Sequence, residues 1–162
     1  MEIHFDSPST VLGWSAIDDR VMGGLSRSQL RFDPSGHAVF EGMVSTDHGG
    51  GFASIRRSGL SLGRPGVKVY TLTVHGDGKR YKFNLRLDDA WDGLNYQAAF
   101  ETPRDQWCEI CLPVTAFEPR SRGRRISPAP PFDPSKVRQV GFLVGDGQEG
   151  PFHLQLRSIR CF

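Results

Sequence analysis

Apolar and polar positions alternate along most of this chain, and nowhere does a helical period persist for three turns. Tyr81, Phe83, Leu85 and Leu87 fall on one face of a run whose other face carries Lys82, Asn84, Arg86 and Asp88. That period of two is the mark of a half-buried strand. Val67 to Val74 alternates in the same way, with Tyr70, Leu72 and Val74 set against Thr71 and Thr73. Between the two runs lies His75-Gly76-Asp77-Gly78-Lys79, whose glycines accept positive φ, so the segment is predicted to be a hairpin. Further strands are predicted at Gln29–Phe32, His37–Val44, Phe52–Arg56, Asn95–Thr102, Gln106–Leu112, Val137–Val144 and Phe152–Cys161. Asp33-Pro34-Ser35-Gly36 supplies the turn between the first two of these. Pro113–Phe117 and Asp133–Lys136 suit single helical turns, and Ser121–Pro131, with Pro128, Pro130 and Pro131, is predicted to be a long loop. Strand signals spaced by about 8–12 residues point to an all-β sandwich or barrel.

Composition agrees with that pattern and narrows it. The length of 162 residues predicts one domain, spanning 1–162, with no linker and no internal repeat. Eleven Phe, three Trp and three Tyr supply bulky core material, while 19 Gly and 11 Pro suit short strands joined by tight turns. No run approaches the roughly 20 apolar residues of a membrane-spanning helix. Met1–Phe5 leads directly into patterned sequence, without a secretory or transit signature, which predicts a cytoplasmic protein. The net charge of +2 gives no reason to expect nucleic acid as a partner. Charge is uneven, however: between Val114 and Val140 six cations face two acids, a local net of +4. Arg122 and Arg124 lie at the centre of that stretch, which reads either as a solvated loop or as a docking patch for an acidic partner.

Few residues suggest catalysis. Cys108-Glu109-Ile110-Cys111 has redox spacing, but on a strand residues three apart point to opposite faces, so the thiols are expected to be free. The five histidines are scattered, and no nucleophile elbow or phosphate-cradling loop is present. Asp88, Asp89 and Asp92 cluster around Trp91 and read as a solvated turn more readily than as a cation site. The sequence therefore predicts no catalytic residue, no metal and no cofactor. Trp91, Asp92, Asn95 and Tyr96 together could serve a small-ligand or carbohydrate site, or simply edge the core.

Two glycine-rich segments stand out. In the first, Asp18, Asp19 and Arg20 precede Met22, Gly23, Gly24 and Ser26. In the second, Gly50 and Gly51 lead through Phe52 to Arg56. Both spend glycines and charges where a plain sandwich needs neither, so the two are expected to meet, either as a binding surface or as a buried ion pair. The order W-x-x-x-D-D-R-V-M-G-G-x-S from Trp14, F-E-G-x-V-S from Phe40 and G-G-F-A-S-I-R from Gly50 resembles the complex I intermediate-associated protein family, the thirty-kilodalton assembly factors. Later pieces agree in order, among them Gly76–Tyr81, Tyr96–Phe100, Trp107 with Leu112-Pro113, Arg122–Arg124 and Gly150–Phe152. The resemblance implies a jelly-roll β-sandwich of the galactose-binding-like type, with two antiparallel sheets. It also implies a non-enzymatic, chaperone-like factor that binds a protein subunit or assembly intermediate of an electron-transfer complex, peripheral to the membrane. Without the extension of the mitochondrial members, the chain looks like a stand-alone bacterial form.

Overall fold

The computed structural model describes residues 1–19, 23–59 and 61–162. Among them are thirteen strands: β1 (Glu2–His4), β2 (Trp14–Ala16), β3 (Arg27–Asp33), β4 (His37–Val44), β5 (Ala53–Arg57), β6 (Val69–Asp77), β7 (Arg80–Arg86), β8 (Asn95–Glu101), β9 (Arg104–Pro113), β10 (Glu118–Ser121), β11 (Arg124–Arg125), β12 (Gln139–Val144) and β13 (Gly150–Cys161). They form two sheets in which every pairing is antiparallel. Sheet I has six strands in the order β3-β4-β13-β6-β9, with β1 also paired to β13. Sheet II has seven, in the order β11-β10-β8-β7-β12-β5-β2. Single helical turns at Val114–Ala116 and Pro134–Lys136 fall where the sequence suggests them.

Alternation along the strands builds the core. From β7, Tyr81, Phe83 and Leu85 point between the sheets and meet Tyr70, Leu72 and Val74 from β6, all essentially buried. Aromatic rings dominate the contact: Phe40–Phe152 and Phe117–Phe132 lie with centroids 4.9 Å apart, and Phe83–Phe142 at 5.2 Å. Each such side chain removes 150–250 Å² from water, roughly 25 cal/mol for every apolar Å². In β13, Phe152, Leu154 and Leu156 are buried at even positions and Ile159 and Cys161 at odd ones. A β-bulge between Leu156 and Ser158 makes that change of phase possible.

The short strands β1, β2, β10 and β11 are additions to the pattern read from sequence. The hairpin turn is tighter than expected, because β6 continues through Asp77 and leaves only Gly78-Lys79 between the strands. The arginine segment is not wholly a loop. Its first part folds as the β10–β11 hairpin at the border of sheet II, Arg120 opposite Arg125 and Ser121 opposite Arg124. Pro119 is accommodated there because a strand near the border can do without one ladder N–H.

Candidate functional site

The two glycine-rich segments do meet, and Asp19 joins them. Its carboxylate, 0% exposed, accepts from Ser26 N at 2.9 Å, Ser26 Oγ at 2.5 Å, Gly51 N at 2.6 Å and Phe52 N at 3.2 Å. Burial alone would raise this carboxyl, but the hydrogen bonds from Ser26, Gly51 and Phe52 hold it below the usual carboxylate range. Gly24 and Gly50 pack on the carboxylate so closely that a Cβ at either would lie 2.5 Å from it. Gly23 turns the chain at φ +88° just before this contact. Asp18, also buried, accepts from Ser28 Oγ at 2.6 Å and from Ser54 N at 2.9 Å. The candidate residues Arg20 and Met22 lie outside the described residues. What is seen is a clasp of buried carboxylates that fixes the start of β5.

Beyond the clasp, the outer face of sheet II is hollowed into a groove of about 580 Å³. Residues opposite one another across a sheet point to the same face. One transverse row therefore carries Glu118, Gln97, Asn84, Gly141, Arg56 and Ser15, on β10, β8, β7, β12, β5 and β2. At its centre Gly141 has no room for a side chain, since a Cβ would lie 2.6 Å from the Ile55 carbonyl oxygen. The missing side chain deepens the floor. Asn95, 4% exposed, and Arg86, on neighbouring strands, complete the charged end.

A wall stands over that end. Trp91, 58% exposed, sits in the turn after β7, and its carbonyl accepts from Arg56 Nη1 at 2.5 Å. Gln139 Nε2 donates to the carbonyls of Asp88 and Ala90, both at 2.8 Å, and Arg138 grips Asp89 with two bonds of 2.9 Å. Arg122, on a residue with φ +51°, reaches across to Asp92 at 2.8 Å and closes the opposite rim. The Gly93 amide and Arg122 keep the Asp92 carboxyl below its ordinary value. At the far end Lys82 bonds Asp146 at 3.1 Å, beside Gly51 and Phe52. The groove is thus preformed, with its aromatic side chain held up by a hydrogen-bonded turn.

The residues singled out from sequence divide accordingly. Gly51, Phe52, Arg56, Trp91 and Arg122 line the groove, together with Asp92 and Asn95. Asp18, Asp19, Gly24, Ser26 and Gly50 form the clasp behind it. Arg124 is exposed on the border hairpin. Of the two uses read for Tyr96, the structure shows the core edge and not the groove: it lies on the strand face opposite Asn95, buried against Phe132 at 5.2 Å, with its hydroxyl donating to the Pro130 carbonyl at 2.5 Å. Adjacent positions on a strand cannot share a face. Asn84, Arg86, Gln97 and Gln139 were missed, because a polar position in an alternating run signals only the outer face. The two C-x-x-C thiols point to opposite faces, Cys108 opposite Val74 and Cys111 opposite Thr71.

The two antiparallel sheets make the chain a jelly-roll β-sandwich of the galactose-binding-like type. A family 11 carbohydrate-binding module of Clostridium thermocellum, solved with a mixed-linked tetrasaccharide, superposes with a TM-score of 0.68 over 98% of this chain and 94% of its own at 16% identity, a likeness of fold. The chain belongs to the Complex I intermediate-associated protein 30 (CIA30) family, whose model matches residues 3–156. It is 31% identical to an uncharacterized protein of Schizosaccharomyces pombe over 90% of this chain and 76% of that one. It is also 25% identical to the mitochondrial complex I intermediate-associated protein 30 of Mus musculus, over 92% of this chain. It spans about half of the mouse protein, 52% of its length. Among the described residues no helix is long and apolar enough to cross a membrane.

Proposed function

We propose that this protein is a non-catalytic binding factor in the assembly of an electron-transfer complex, and that it takes hold of a subunit or assembly intermediate with the groove of sheet II. The observation that carries this reading is the exposed Trp91 held over a preformed groove of about 580 Å³ in a chain of an assembly-factor family. An exposed aromatic on a rigid support is what protein interfaces use as an anchor, since little entropy is lost when it is covered. The groove's acids support binding in preference to proton transfer, for Asp92 is engaged by Arg122 and Asp146 by Lys82. Arg124 and Arg125, exposed on the border hairpin, would add electrostatic attraction for an acidic partner.

The test is affinity capture from the native host followed by mass spectrometry, with wild-type protein and with Trp91→Ala. Wild-type protein should retain a subunit or assembly partner of an electron-transfer complex. Trp91→Ala should lose it by about 2 kcal/mol or more in affinity, with its melting temperature little changed. Capture that is indifferent to Trp91 would refute the groove as the docking face.

A second reading has its own support. Asn84, Asn95, Gln97 and Gln139 line the same groove beside Trp91, and side-chain amides with an aromatic plane suit sugar hydroxyls and C–H faces. Calorimetry with neutral mixed-linked glucan oligosaccharides separates the two: heat of binding that vanishes in Trp91→Ala would favour a carbohydrate ligand.

A further inference from the structure

Arg56 and Arg86 are two half-buried arginines at one end of the groove, and among the described residues neither makes an ion pair. Of the carboxylates near them, Asp92 is engaged with Arg122 at 2.8 Å and Asp89 with Arg138 at 2.9 Å, while Asp88 accepts from the Ala90 amide at 3.0 Å. Each guanidinium has five N–H donors in a planar fork. Arg56 spends one on the Trp91 carbonyl at 2.5 Å, and Arg86 directs one to the Gly93 carbonyl at a long 3.4 Å. Burial pushes the Arg56 guanidinium down to about 10, with the charge of Arg86 adding to the shift and Asp92 offsetting part of it. Burial lowers Arg86 as well, against Asp92 and Asp88. A guanidinium stays charged at neutral pH, so two like charges are kept together, partly out of water, with most of their donors unspent among the described residues.

A second observation comes from the amides beside them. Asn95 donates from Nδ2 to the Arg120 carbonyl at 3.2 Å, yet its Oδ1 is buried and has no partner among the described residues, and the same holds for Asn84 Oδ1. Both residues line the groove, and Asn95 is 96% buried by its 4% exposure. An unmatched buried acceptor is costly, as is a desolvated charge without a counterion. The two deficits are complementary to one kind of ligand: an anionic acceptor for the arginines, with N–H or O–H donors for the asparagines.

We propose that Arg56 and Arg86 form a receptor for an oxyanion, carboxylate or phosphate, on the groove's ligand, and that Asn84 and Asn95 accept hydrogen bonds from donors on the same ligand. The proposal rests on the groove being the binding face and adds the chemistry of what it binds. Planar forks match carboxylate and phosphate oxygens two at a time, which a lysine pair would not do. The row places Asn84 opposite Gly141 and Gly141 opposite Arg56, so the anion and the donors must lie within about two strand spacings of each other, ~10 Å. An acidic segment of a partner protein meets this requirement with a Glu or Asp side chain and its backbone N–H groups. A sugar acid meets it with its carboxylate and ring hydroxyls.

The experiment is NMR of the arginine Nε–Hε signals in the intact chain, titrated with inorganic phosphate. Two matched pairs of probes follow: a short Glu-containing peptide and its Gln counterpart, and a glucuronic-acid-capped oligosaccharide and its neutral counterpart. Phosphate should shift Arg56 and Arg86 ahead of the exposed Arg124 and Arg125, and one acidic probe should outbind its neutral twin. The pair that shows the difference identifies the source of the oxyanion. Arg86→Gln, which gives up only a long contact, should weaken the acidic probe roughly tenfold and leave the neutral one unchanged. Should phosphate shift Arg124 and Arg125 as much as the groove pair, or leave both groove signals unmoved, the receptor is refuted. Equal binding of acidic and neutral probes at Trp91 would also refute it while sparing the groove. A recovered partner that still binds with Trp91, Arg56 and Arg86 all replaced would refute the groove itself.

Discussion

At the scale of single residues, Asp19 has the largest structural consequence. Four donors converge on one carboxylate with no exposure, and two of them belong to Gly51 and Phe52, which line the groove. Asp19→Ala leaves those donors unmatched in a buried space, so it should cost about 3 kcal/mol, a fall of ~6–12 °C in melting temperature for a chain of this size. The pH dependence follows from the lowered carboxyl. A group whose folded value is depressed contributes stability above its ordinary value, about 4, and loses it as pH falls through the folded value. Denaturant titrations of wild type and Asp19→Asn should therefore differ most near neutrality and converge below about pH 4. A constant gap down to the acid limit would mean that the carboxylate's charge is not what holds the clasp.

At the scale of elements, β13 shows how a pattern read from sequence can be right about a strand and silent about its geometry. The run Phe152–Cys161 is legible because it is apolar and uninterrupted, but its phase changes at the bulge beside Arg157, and no local signal announces this. Inserting one residue after Ser158 should put Ile159 and Cys161 on the wrong face, at a cost of roughly 3 kcal/mol or more from two buried side chains. Arg157→Ala keeps the backbone and loses only the guanidinium 4.0 Å over the Trp107 ring, a cation–π contact of about 0.5–1 kcal/mol. Chemical denaturation of both variants separates register from contact, and equal losses would show that the strand absorbs the shift without turning Ile159 and Cys161 outward. The strands that went unread failed for a different reason. β1, β2, β10 and β11 have between two and four residues, too few for alternation to show, and each exists because a longer neighbour offers an open edge.

At the scale of the whole molecule, the sequence could show that Asn84 and Arg86 share a face and that Arg56 lies near a glycine-rich turn. It could not show that Gly141 brings them together, because the register of β12 between β7 and β5 is a tertiary fact. The meeting of the two glycine-rich segments was legible, since glycines beside acids imply a close approach. Folding as one unit is the remaining expectation, and the topology gives it a physical basis. A single apolar cluster runs between the sheets from Ile3 to Cys161, drawing on both. β13 pairs with β4, β6 and β1, so contacts formed across nearly the whole length of chain hold sheet I together. No cut in the sequence leaves two halves that could each bury their own apolar face. Unfolding should accordingly be one cooperative transition, with equal calorimetric and van't Hoff enthalpies and coincident loss of near-UV and far-UV circular dichroism. A chain ending at Glu149 should not fold, because it lacks the central strand and the partners of Phe40 and Leu72. Two resolved transitions, or a folded truncated chain, would show instead that sheet II is stable without sheet I.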